Sequence, residues 1–152
     1  MYGMVLLGHS WLRWVVLTVG LVLLVVAWRG WRSGSAWADG AERLRRAFLG
    51  VLDLQLLLGV VLYAALSPLP RAGWANAGAM FADSVLRFYT VEHMFGMTVA
   101  VAVAHIGVLR AKRAEGVAQY RTMLVTLALW LLITLVSIPW PFMAYGRQLF
   151  RF

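Results

Sequence analysis

The chain has 152 residues, 62% of them hydrophobic, with a mean hydropathy of +0.78 and a net charge of +8. An ordinary soluble domain is roughly 45–50% apolar, so this composition belongs to a membrane protein of one compact domain. There is no cysteine, which excludes disulfides, thiolate metal sites and iron–sulfur clusters. The positive charge is not a nucleic-acid signal, because the basic residues sit in short segments between apolar runs.

The first apolar run, 5–27, is too long for a signal-peptide core, and no small-residue cleavage site precedes "WRGWR". It reads as a retained span over 5–28. Three more segments, 47–66, 85–109 and 122–138, are long enough to cross about 30 Å of hydrocarbon. The second ends at "SPLP" and the fourth at "IPWP". Proline lacks an N–H and disfavours helix in the residue before it, so both are stops. The expected fold is an all-α antiparallel bundle of four transmembrane helices in a single domain. "RSGSAWADG" reads as a polar turn, and "RLRRAF" as the interfacial opening of span two. "SPLPRAGWANAGAMFADS" is long enough to fold over one end of the bundle as a cap. Arg29, Arg32, Arg43, Arg45 and Arg46 lie between spans one and two. Arg110, Lys112, Arg113 and Arg121 lie between spans three and four. The remaining connection holds only Arg71, with Arg87 at its far end. The positive-inside rule then puts both termini outside.

Orientation gives each polar residue a depth. His9 in span one and His93 in span three lie at similar depths below the outer face, at about 1.5 Å per residue. Arg13 follows His9 by one turn on the same face, and Glu92 lies level with it, so an Arg13–Glu92 pair is expected. Asp53 and His105 form a second polar level near the cytoplasmic ends and are expected to touch. His93 and His105 are about 18 Å apart along the axis and cannot share one metal ion. Two imidazoles on different membrane helices suit a low-spin b-type haem. His9 and His93 would be its ligands, with Gly8 and Gly96 leaving room for the ring. Arg87, Arg71 and Arg13 are candidates for its propionates. The competing reading is that these histidines are interhelical hydrogen-bonding groups with no cofactor.

"HSWLRW" at 9–14, "LQLLLGVVLY" at 54–63, "RFYTVEH" at 87–93 and "SIPWPF" at 137–142 together resemble a family of small bacterial four-span membrane proteins of cytochrome-b-like type. The resemblance covers nearly the whole chain, including "GRQLF". It implies a bundle in the bacterial inner membrane, with one haem b on His9 and His93. Where relatives carry a histidine in span two this chain has Asp53, so a second haem on His105 would lack its partner. The function implied is electron transfer between membrane quinol and an acceptor at the outer face, alone or within a larger redox complex. Two alternatives stay open. One is a haem-free accessory subunit. The other is copper handling, since Met1, Met4, Met80, Met94, Met97 and Met143 share the outer half with both histidines. No catalytic residue can be named.

Overall fold

Four long helices carry the apolar runs in the computed structural model, which describes residues 1–150. Helix α1 spans Tyr2–Ser33. Helix α2 spans Asp39–Val61 and runs on into a five-residue π-helical turn, Leu62–Leu66. Two short helices follow, α3 (Pro68–Ala75) and α4 (Ala77–Ala82). A third rod joins α5 (Ser84–Arg87), a second π turn (Phe88–Glu92) and α6 (His93–Lys112). Helix α7 spans Val117–Ser137. No strand occurs among the described residues.

The spans are the expected four, each longer than its apolar core at the basic end. The helix begins ahead of "RLRRAF": α2 starts eight residues before Ala47, at Asp39. The arginines can prolong a helix beyond the hydrocarbon because they are good helix formers and reach water. The turn between α1 and α2 shrinks to residues 34–38, with Gly34 as a left-handed cap at φ 67°. Arg45 is buried there, paired with Glu42 and lying over the Trp37 ring.

Within lipid, helices associate through close packing, so small residues decide which faces meet. Helix α1 packs on α2 and α7, and α6 packs on α7; the seam between α2 and α6 is looser. Thus α1 and α6 stand diagonally opposed. At the middle, Phe48 and Trp130 meet edge to face at 4.8 Å, both essentially buried. Gly20 lets α1 lie against them, for a Cβ there would run into the Trp130 ring.

The connection after α2 caps the bundle end that carries the termini. Asn76 and Asp83 cap α4 and α5 by accepting from backbone N–H groups. The Tyr63 hydroxyl donates to the Thr90 carbonyl (2.9 Å) and accepts from Trp74 Nε1 (2.8 Å), tying the cap to the second π turn. Residues 139–150 form a strap across the same end. Tyr145 stacks on Phe88 at 3.8 Å, and Phe150 stacks on Trp14 at 5.3 Å. The Leu149 carbonyl accepts from Arg13 Nη2 (2.7 Å) and Trp14 Nε1 (3.2 Å).

Candidate functional site

A partly open cavity of about 160 Å³ lies among the four long helices beneath the cap and strap. His9 of α1 and His93 of α6 face each other across it, ring centres 6.5 Å apart and planes at 79°. The walls are mainly apolar, with Tyr63, Tyr89 and Trp130 among them. Both π turns border it, through Leu62 and Tyr63 on one side and Tyr89 on the other. An i→i+5 turn shifts the helical register by one residue, and such turns gather at functional sites.

His93 is oriented by the stop at "IPWP". The proline-terminated end of α7 leaves last-turn carbonyls without intrahelical donors. Trp140 Nε1 takes the Leu135 carbonyl and His93 Nδ1 takes the Ser137 carbonyl, each at 2.7 Å. A carbonyl can only accept, so Nδ1 carries the proton and Nε2 of neutral His93 keeps a lone pair. His9 is held differently. Gln55 Nε2 donates to the His9 carbonyl (3.1 Å) and lies 3.3 Å from His9 Nε2. The carbonyl fixes the amide's orientation, so Nε2 of neutral His9 accepts and Nδ1 bears the hydrogen. Gly59 backs this ring: a Cβ there would stand 3.2 Å from His9 Cε1.

Four buried polar atoms that line the cavity have no hydrogen-bond partner among the described residues: His9 Nδ1, Gln55 Oε1, Trp130 Nε1 and Thr134 Oγ1. Unsatisfied buried groups cost about 1–3 kcal/mol each, so four around one cavity give it hydrogen-bonding capacity that a water or a polar ligand could use. Two arginines are among the residues that line the cavity, Arg13 and Arg147. Arg147 Nε donates to the Tyr89 hydroxyl (2.7 Å), which donates to the Tyr145 carbonyl (3.1 Å).

Several expectations are corrected. Glu92 does not pair with Arg13; its carboxylate binds Arg87 Nε at 2.7 Å, both side chains about two-fifths exposed. The second π turn causes this, because i→i+5 geometry brings residues 87 and 92 together. Arg87 also donates to the Phe81 carbonyl, and Arg71 donates to the Ala65 carbonyl; neither lines the cavity. Gly8 and Gly96 do not open room for a ring, since they face Leu58 of α2 and Ser137 of α7. Of the six outer methionines, only Met94 and Met97 line the cavity. Asp53 and His105 do touch, Oδ1 to Nε2 at 2.7 Å, on the outside of the bundle.

No role was read in the sequence for Gln55, Gly59, Thr134 or Arg147. A lone amide within "LQLLLG" is the one signal that pointed to any of them, as polar groups in apolar spans bind neighbouring helices. No family model, no curated protein and no solved structure matches the chain.

Proposed function

We propose that this multi-pass membrane protein is a b-type electron carrier of the bacterial inner membrane, with one haem between His9 and His93. The observation that carries the reading is the 6.5 Å between their ring centres. Two ring nitrogens about 2 Å from one metal, with ring centres about 1.1 Å behind them, stand about 6 Å apart centre to centre. Supporting it are the fixed tautomer of His93, the unpartnered polar atoms and the two arginines among the lining residues.

Haem bound here would supply one-electron redox chemistry. His93 would ligate through Nε2 while Nδ1 stays on the Ser137 carbonyl, the usual outer support that raises a ligand's basicity. His9 must first exchange its Gln55 contact for the metal. Arg13 and Arg147 suit two propionates; they take the role first expected of Arg71 and Arg87. Pockets for drug-sized ligands measure roughly 300–1,000 Å³, so the 160 Å³ cavity must widen to take a haem. Met94 and Met97 are the adaptable side chains for that. Ligation by two imidazoles leaves no open position, which favours electron transfer over oxygen binding. Quinol and a larger redox complex are the proposed partners.

The same two methionines favour one other reading, a Cu(I) ion held by imidazole and thioether without a macrocycle. The absorption spectrum of protein purified from haem-replete cells tests both. A Soret band with a sharp reduced α band, lost in His93→Ala, is expected. Stoichiometric copper without a Soret band would replace haem by copper. Neither signal, before or after titration with hemin, would leave a cofactor-free subunit.

A further inference from the structure

His9 and His93 face each other, yet their nitrogens are differently engaged. His93 Nδ1 is committed outward to the Ser137 carbonyl, and its Nε2 has no hydrogen-bond partner among the described residues. His9 is the reverse case: its Nε2 lies 3.3 Å from the Gln55 amide nitrogen and accepts from it. That ring nitrogen has a single lone pair, in the ring plane, so it cannot serve Gln55 and a metal together.

Helix α2 grips the His9 ring twice. Gln55 and Gly59 are four residues apart on α2, hence on one face. Gln55 holds Nε2, and Gly59 lies against the neighbouring ring atoms, where a Cβ would stand 3.2 Å from Cε1 and 3.8 Å from Nδ1. Carbon contacts are most favourable at about 3.5–4.0 Å, so a methyl group at 59 would crowd the ring in this position. The Nε2–Cε1–Nδ1 edge of His9 is therefore turned to α2, while His93 stands on α6 with its ring plane at 79° to that of His9. Gln55 also donates to the His9 carbonyl at 3.1 Å, a backbone atom that stays in place when the ring turns. Turning Nε2 from α2 towards His93 thus gives up one hydrogen bond and keeps the other, so α1 and α2 remain tied.

We propose that Gln55 and Gly59 form a seat on α2 that holds His9 out of ligation while the cavity is empty, with Gln55 as the positioning residue. The seat makes the two histidines unequal. An incoming metal centre meets the open Nε2 of His93 first, and His9 joins only when its ring leaves the seat. The order of ligation rests on the haem reading; the seated ring does not. Loosening the seat should strengthen binding, whereas loss of a merely structural contact would weaken it.

The test uses the full-length protein in detergent micelles, made without haem supply and isotope-labelled at its histidines. In proton–nitrogen correlation spectra His9 should be the Nδ1–H tautomer. Gln55→Leu should shift its Nε2 resonance towards that of an unbonded imidazole while His93 stays in place. An unmoved His9 resonance overturns the proposal. Hemin titration reads the consequence. Gln55→Leu and Gly59→Ala should each bind hemin about three- to tenfold more tightly than the parent, the weight of one net hydrogen bond. In a His9→Ala background the gain from Gln55→Leu should vanish, because it acts through that ring. Equal or weaker binding by either folded variant overturns the seat, as does a gain that survives His9→Ala. Failure of the parent and all variants to take up hemin sinks the haem reading instead, and the His9 resonance alone then decides the seat.

Discussion

Replacing His93 separates its structural role from its role as a ligand. Its Nδ1–H serves the Ser137 carbonyl, at a buried residue where α7 stops. His93→Leu keeps the bulk and removes the donor, stranding that carbonyl. An unsatisfied buried acceptor costs about 1–3 kcal/mol, and the lost contact between the two rings adds to it. His93→Asn places an amide N–H close to where Nδ1 was, so it should recover most of that cost and fall within about 1 kcal/mol of the parent. Neither variant offers the imidazole Nε2. Both should therefore lack the low-spin spectrum, while only the leucine variant melts early. Circular dichroism melts in detergent beside absorption spectra read the two effects separately. Equal destabilisation by Leu and Asn would refute the hydrogen bond as the source of stability. A retained low-spin spectrum in either would refute ligation by His93.

Three further outcomes are expected. A reporter fused to the C-terminus should be active only outside, since nine basic residues lie in the connections at the other end of the bundle; activity on the cytoplasmic side would invert the orientation. Glu42→Gln should cost about 3 kcal/mol by stranding the buried Arg45 guanidinium, read as a lower melting temperature, and an unchanged melt would contradict the pairing. Gly20→Ala should destabilise by about 1–3 kcal/mol through overpacking against Trp130; combining it with Trp130→Leu should recover part of the loss, and strict additivity of the two would deny the contact.

The four spans were legible because hydropathy and proline stops are local signals, and the helices follow them within a few turns. The meeting of Asp53 with His105, and of His9 with His93, was legible from depth alone, since a uniform rise per residue fixes height in a membrane. Azimuth was not. Equal depth suggested Arg13 as the partner of Glu92, and in an α-helix residues five apart, such as Arg87 and Glu92, are about 140° apart. The π turn at Phe88–Glu92 undoes that arithmetic, and no residue in "FYTVE" announces it. Gly59 was invisible for a related reason: its role depends on which face of α2 meets the His9 ring. Arg147 lies beyond the last span, where there is no periodicity to place it.

The strap over 139–150 bears on how the protein is made. It is the last part of the described chain to leave the ribosome, and its anchors, Arg13, Trp14, Phe88 and Tyr89, belong to spans that emerge earlier. Chains are synthesised from the N-terminus at about 5–20 residues per second. The facing histidines can thus come together before the strap is laid across their end of the bundle. The space between them is therefore open until Arg147 and Leu149 arrive, and an extension fused close behind Phe150 would act on that final step.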